Sequence, residues 1–237
     1  MKEFLHDLLS SHYVLAFTGA GMDTESNLPD FRGPEGLWRN HDPRTLASVD
    51  ALHSNYPLFH EFYSHRIHAL DGVEPHEGHY FLSQLEQAGL LKGIITQNIS
   101  GLHERAGSKR VIELHGSMAH FHCNSCQQQA FKEDFLAQKS CSCGGPLRPS
   151  LTLFGEALPQ VAFQEAITEL EKADFLLILG SSLEVYPAAQ LPFMFPMTRC
   201  FVNLEPVSQQ SMMSYVYEMK IGEFLKKVKE AIYETNY

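Results

Sequence analysis

Tyr13-Val-Leu-Ala-Phe17 runs into Thr18-Gly-Ala-Gly-Met-Asp-Thr-Glu-Ser-Asn-Leu-Pro-Asp-Phe-Arg-Gly33, and the fold turns on this stretch. The apolar run is long enough for a buried strand, and Gly19 and Gly21 let the backbone turn tightly and approach a ligand closely. A strand, a Gly-x-Gly and a helix start present backbone N–H groups to an anion, as in dinucleotide-binding folds. The third fingerprint position is Thr24 instead of glycine, so the loop alone also reads as an ordinary strand-to-helix turn. Its tail, Pro29 to Gly33, sets Phe31 between Asp30 and Arg32. A mere turn has no use for that arginine, whose fork of donors suits phosphate.

Outward from this loop the pattern stays α/β. Phe4, Leu5, Leu8 and Leu9 fall at helical spacing before the first strand. Residues 34–78, with Trp38, Tyr56, Phe59, Phe62, Tyr63, Ile67 and Leu70, read as short helices without strands, a helical insertion over a ligand cleft. Tyr80 to Ala88 is an amphipathic helix stopped by Gly89, and Leu90 to Thr96 is a strand ending at Gln97 and Asn98. Arg110 to Leu114 is a short strand ending at His115. Val161 to Lys172 fits a helix. Phe175 to Leu179 (FLLIL) is the continuous apolar run of a strand buried on both faces of a parallel sheet, ending at Gly180, Ser181 and Ser182. Arg199 to Leu204 repeats the pattern with Asn203 near its end, and Phe224, Leu225, Val228 and Ile232 make a closing helix. Five strand ends thus deliver small and polar groups, and in an open parallel sheet ligands bind outside the carboxyl ends of the strands.

The 237 residues are 44% hydrophobic, ample for one core with an insertion, which excludes a disordered or fibrous chain. A net charge of −10 argues against broad nucleic-acid binding and for cationic partners such as lysine-rich protein segments. No apolar run reaches the length of a membrane span, and acids and a histidine stand near the start, where a secretion signal is apolar. These features suggest a cytoplasmic protein.

Cys123-x2-Cys126 and Cys141-x-Cys143 pair four thiols at short spacing, which points to a structural tetrahedral zinc in place of disulfides. The second pair is one residue tighter than the common Cys-x2-Cys. A closed four-thiolate site leaves no open position for catalysis. Cys200, inside an apolar strand, reads as a small buried hydrophobe.

Taken together, GAGMDTESNLPDFRG, TQNISGLH (Thr96–His103), ELHGS (Glu113–Ser117), the four cysteines, FGEALP (Phe154–Pro159) and GSSLEVYPA (Gly180–Ala188) resemble the sirtuin family of NAD-dependent protein-lysine deacylases, in its bacterial-type minimal form. The resemblance spans nearly the whole chain and keeps the family's motif order. It implies a Rossmann-type parallel-sheet NAD-binding domain (1–33, 79–118 and 148–237) and a smaller module made of the helical insertion (34–78) and a zinc-binding segment (119–147). It further implies NAD+ held by Gly19, Ala20, Gly21, Thr24, Phe31, Arg32, Gln97, Asn98, Gly180, Ser181, Ser182, Asn203, Glu205 and Ile221. One structural Zn2+ would sit on Cys123, Cys126, Cys141 and Cys143. Acylated lysine side chains of protein substrates would enter beneath Phe154, Gly155 and Glu156. In the family mechanism the acyl oxygen displaces nicotinamide, and His115 acts as general base on a ribose hydroxyl; imidazole titrates in the range that suits this task.

Two positions depart from the family pattern: Ser100 stands where Asp is usual, and Asp23 where Ser is usual. Either the carboxylate that helps hold nicotinamide has moved to Asp23, or catalysis is weakened or redirected. Redirection would give mono-ADP-ribosyl transfer or NAD hydrolysis, and outright loss would leave a non-catalytic NAD or ADP-ribose sensor. Tyr63-x-x-Arg66 resembles the pair by which some sirtuins bind succinyl or malonyl carboxylates, one helical turn setting a hydroxyl beside a guanidinium. Asp30 instead matches the deacetylases, and an aromatic-x-x-Arg spacing also arises by chance.

Overall fold

The computed structural model describes residues 1–28 and 43–235; the side chains of residues 43, 44 and 235 are not described. In chain order the elements are α1 (Lys2–Ser10), β1 (Val14–Thr18), a 3-10 turn (Ala20–Ser26), α2 (Pro43–Leu46), α3 (Val49–Ser54), α4 (Tyr56–Leu70), α5 (Glu77–Gln87), β2 (Leu91–Thr96), α6 (Leu102–Arg105), β3 (Val111–Glu113), β4 (Gly116–Cys123), β5 (Gln129–Ala130), α7 (Lys132–Leu136), β6 (Leu147–Leu151), α8 (Gln160–Lys172), β7 (Phe175–Leu179), β8 (Thr198–Asn203), β9 (Tyr215–Glu218) and α9 (Ile221–Thr235).

Six strands form one parallel sheet in the order β3-β2-β1-β7-β8-β9. Counted along the chain, this is the 3-2-1-4-5-6 order of doubly wound dinucleotide folds, whose switch point lies between β1 and β7. Side-chain alternation along β1 feeds two cores. Val14 and Ala16 join Phe4, Leu82, Phe224 and Leu225 on the face covered by α1, α5 and α9. Leu15 and Phe17 join Ala166, Leu170 and Phe201 on the face covered by α8. The wholly buried β7 contributes to both, as FLLIL predicts.

A second, antiparallel sheet, β5-β4-β6, shares a third core with the helices before it. Phe59, Tyr63 and Ile67 of α4 pack with Met118, Phe121, Phe135 and Leu147. Most predicted elements appear within one to three residues of their expected limits. The helix expected at Tyr80 begins earlier, at Glu77, because the His76 ring accepts the Gly78 N–H at 3.0 Å and caps it. β9 and the antiparallel sheet are additions to the expected pattern.

At the switch point the two loops touch backbone to backbone. Gly19 N–H donates to Leu179 O at 3.0 Å and Gly21 N–H to Gly180 O at 2.8 Å. A Cβ on Gly180 would lie 2.4 Å from the Met22 nitrogen, and its φ of +66° is a left-handed conformation. Gly180→Ala is therefore expected to cost about 3 kcal/mol, from overpacking plus the left-handed backbone. Urea unfolding measures it, and a loss below about 0.5 kcal/mol, the range of an ordinary surface substitution, would contradict this contact.

Candidate functional site

The carboxyl ends of β1, β2 and β7 are laced by side chains. Asn98 Nδ2 donates to Gly19 O at 3.0 Å, and Gln97 Nε2 donates to Ser181 Oγ at 2.8 Å. His115, after β3, is tied to the same place: its Nδ1 is 2.9 Å from Gln97 O. A carbonyl only accepts, so Nδ1 carries the proton and Nε2 keeps its lone pair. Burial pulls His115 below the ordinary histidine value, the Gln97 carbonyl opposing this. The imidazole is thus neutral at neutral pH, with a basic nitrogen beside the switch-point crevice.

The glycine loop forms the floor. Thr24 donates its hydroxyl proton to Gly21 O at 2.9 Å, closing the turn. Bare backbone at Gly19, Gly21 and Gly180, with the hydroxyls of Thr24, Ser181 and Ser182 adjoining, suits a diphosphate that needs close backbone approach. Ser181 is buried and Ser182 exposed. Farther along the sheet Asn203 Nδ2 donates to Glu205 O at 3.0 Å. The Ile221 side chain is buried in the core with Phe224, so only its backbone can meet a ligand. Phe31 and Arg32 lie outside the described residues.

Ala20, Asp23, Asn98, Ile99, Ser100 and Arg66 line one cavity. Within it Ser100 Oγ donates to Asp23 Oδ2 at 2.8 Å, and His79 Nε2 approaches Asp23 Oδ1 at 3.2 Å. The two departures singled out in the sequence are direct partners. His79, which the sequence did not single out, completes the set from inside α5. Its ring packs edge-on against His103, 4.9 Å away. His103 Nε2 is 2.9 Å from Thr18 Oγ1, which in turn donates to Thr96 Oγ1 at 2.8 Å.

The proposed acyl-binding residues divide. Arg66 reaches the cavity, its guanidinium 5.6 Å from the Phe62 ring centroid and 6.0 Å from that of Tyr63. Tyr63 is packed into the third core, 4.7 Å from the Phe59 ring, and burial pushes its hydroxyl up to about 12. It is not among the described residues that line the cavity. Phe154 is 42% exposed, and its backbone pairs with the junction between α2 and α3 through Phe154 N–H to Ala47 O and Val49 N–H to Phe154 O. Gly155 follows at φ +94°. The Glu156 carboxylate is engaged by Arg148 at 2.5 and 2.9 Å.

All four thiol sulfurs of Cys123, Cys126, Cys141 and Cys143 lie within 4.8 Å of one another, with closest pairs at 3.5 and 3.6 Å and no disulfide. Tetrahedral zinc at about 2.3 Å from each sulfur would set them about 3.8 Å apart, so the cluster fits that ion. Cys200 is fully buried in β8.

Residues 19–187 match the model of the Sir2 family. The chain belongs to the Sir2 family. An NAD-dependent protein deacetylase of Oceanobacillus iheyensis is 45% identical over 235 residues, covering 96% of this chain and 98% of that one. Among solved structures of the family, a mutant Sir2 homologue bound to ADP-ribose superposes with a TM-score of 0.95 at 33% identity, covering 99% and 97% of the two chains. A complex of Sir2 with a p53 peptide and NAD+ gives 0.90 at 37%, covering 98% of each.

Burial holds His103 well below the ordinary histidine value, and the charge of His79 pushes the same way. Unfolding frees it to bind a proton near pH 6.5, so below that pH the unfolded chain takes up protons the folded one refuses. Folding stability is therefore expected to fall as pH drops below 6.5, by up to about 1.4 kcal/mol per unit from this residue. Urea unfolding at pH 7.5 and 5.5 reads the slope; a slope in His103→Gln as steep as in the parent chain would refute the assignment.

Proposed function

We propose that this chain is an NAD-dependent protein-lysine deacylase that transfers an acyl group to ADP-ribose and releases nicotinamide. The observation that carries the reading is His115, with Nδ1 committed to the Gln97 carbonyl and Nε2 free to take a proton. Bound NAD+ supplies an electrophilic ribose carbon with nicotinamide as its leaving group. Gly19, Ala20, Gly21, Thr24, Gly180, Ser181 and Ser182 would hold its phosphates and ribose from below, with Arg32 assigned to the same task and Phe31 to shielding the reacting ribose carbon. Gln97 and Asn98 fix the strand ends around it, and Asn203, Glu205 and the Ile221 backbone extend the site along the sheet. Phe154, Gly155 and Glu156 form the lip over which the peptide pairs as a strand. We assign a structural zinc to the four cysteines and a reducing, cytoplasmic setting in which those thiols persist. Among the described residues, no helix is long and apolar enough to cross a membrane.

The test is incubation with NAD+ and acetyl- or succinyl-lysine peptide, followed by mass spectrometry. O-acyl-ADP-ribose is the expected product. It should fall about a thousandfold in His115→Ala, the scale of a lost general base, and its acid limb should lie below pH 6.5. ADP-ribosylated protein, free ADP-ribose, or binding without turnover would each replace the deacylase reading. Arg66 at the cavity wall favours an acidic acyl chain as a second substrate, whereas Tyr63 lies buried beside it. Desuccinylation that survives Arg66→Ala unchanged would remove that second substrate.

The contact between Ser100 and Asp23 supports relocation of the carboxylate over loss of function. Exchanging the two side chains (Asp23→Ser with Ser100→Asp) should keep nicotinamide release within a few-fold, whereas Asp23→Ser alone should lose roughly ten- to a hundredfold, the scale of one buried charge-assisted hydrogen bond. Relocation is wrong if Asp23→Ser keeps the parent rate while the exchange greatly raises it.

A further inference from the structure

Arg148 lies on β6, and its side chain is 4% exposed. A guanidinium offers five N–H donors, and here five acceptors receive them. Nε faces Pro149 O at 3.4 Å; Nη1 faces Asn124 Oδ1 at 3.4 Å and Glu156 Oε1 at 2.5 Å. Nη2 faces Leu151 O at 2.6 Å and Glu156 Oε2 at 2.9 Å. No donor is left over for a substrate. Glu156 Oε2 also accepts Leu153 N–H at 2.7 Å, while Glu156 N–H donates to Leu153 O at 3.0 Å, so the carboxylate closes the Leu153–Glu156 turn.

The other end of this chain of contacts reaches the cysteine cluster. Asn124 stands between Cys123 and Cys126, and its N–H donates to Pro146 O at 2.9 Å. In the β4–β6 ladder Leu147 faces Cys123 and Arg148 faces His122. One buried guanidinium thus joins the cysteine knuckle to the turn that carries Phe154 and Gly155.

We propose that Arg148 is a positioning residue that couples the four-cysteine site to the peptide-binding lip, so that metal retention and acyl-peptide affinity rise and fall together. The coupling rests on the deacylase reading for its substrate, and on the contacts of Arg148 for its path. Glu156 then holds the lip in shape and does not itself bind substrate. Binding energies coupled in this way are reciprocal: peptide should tighten metal binding by the factor by which metal tightens peptide.

Arg148→Lys keeps the charge but loses the planar fork. It is expected to raise the peptide KM about tenfold, the scale of one charge-assisted hydrogen bond, with kcat and the NAD+ KM within about twofold. Extraction of the metal by a chromogenic chelator should speed up by a similar factor, and amide exchange at Leu153 and Glu156 should accelerate. Should Arg148→Lys fail to fold, Glu156→Gln carries the same comparison with the same expected results. A raised peptide KM with unchanged extraction, or faster extraction with an unchanged peptide KM, overturns the coupling. If the parent chain turns over no acyl-lysine peptide, the deacylase reading fails on its own. Extraction and amide exchange still decide the coupling in that case: no change in either after substitution refutes it.

Discussion

The contact between the loops after β1 and β7 governs the rest of the molecule. The Gly21 N–H to Gly180 O bond, with a Cβ on Gly21 only 2.7 Å from Gly180 Cα, brings two backbones together with nothing between them. The sheet order makes this meeting unavoidable, since β1 and β7 are the neighbours at which the winding reverses. Everything that faces the crevice takes its position from that seam. Gln97 reaches Ser181 across it, Asn98 holds the Gly19 carbonyl, and Gln97 in turn orients His115.

The second structural demand is that the smaller module be joined rigidly to this seam, and β4 and β6 meet it. β4 begins at Gly116, directly after His115, and ends at Cys123; β6 begins opposite Cys123 and ends just before Thr152, whose N–H donates to His115 O at 2.8 Å. Gly116 sits at φ +71°, where a Cβ would lie 2.3 Å from Ser150 O. The ladder therefore runs from the histidine to the cysteines. The helices α3 and α4 contribute Leu52, Phe59 and Tyr63 to a cluster with Met118 of the ladder, which gives the module a core of its own.

How much of this was legible depends on the range of the interaction concerned. FLLIL declares its strand and its burial because every residue in it must be apolar between two helical layers. The four cysteines declare their cluster because ligand spacing is local. β9 was not legible: its residues 215–217 are only partly buried at the sheet edge, and YVYE lacks both a continuous apolar run and clean alternation. The partnership of Asp23 with Ser100 could be suspected from residue types, but their distance is set by the β1–β2 pairing, 77 positions apart in sequence. Tyr63 was read from an aromatic-x-x-Arg spacing that also arises by chance, and its burial in the third core is set by packing that the spacing does not encode. The engagement of the Glu156 carboxylate by Arg148 was not legible, because nothing local in the short run Leu147–Leu151 says which acceptors its single arginine will meet.

The hydroxyl pair of Thr18 and Thr96 has a consequence for alignment. The two residues sit opposite each other at the last rung of the β1–β2 ladder, 0% and 3% exposed, with His103 pressed against one of them. Apolar strands such as VLAF and GIIT offer little resistance to sliding by two residues, because each face would still meet hydrocarbon. Two hydroxyls that satisfy only each other and their few neighbours do resist it, since a slip would bury both unpaired. They act as a registration mark, fixing to within a residue where β1 hands the chain to Gly19 and where β2 hands it to Gln97.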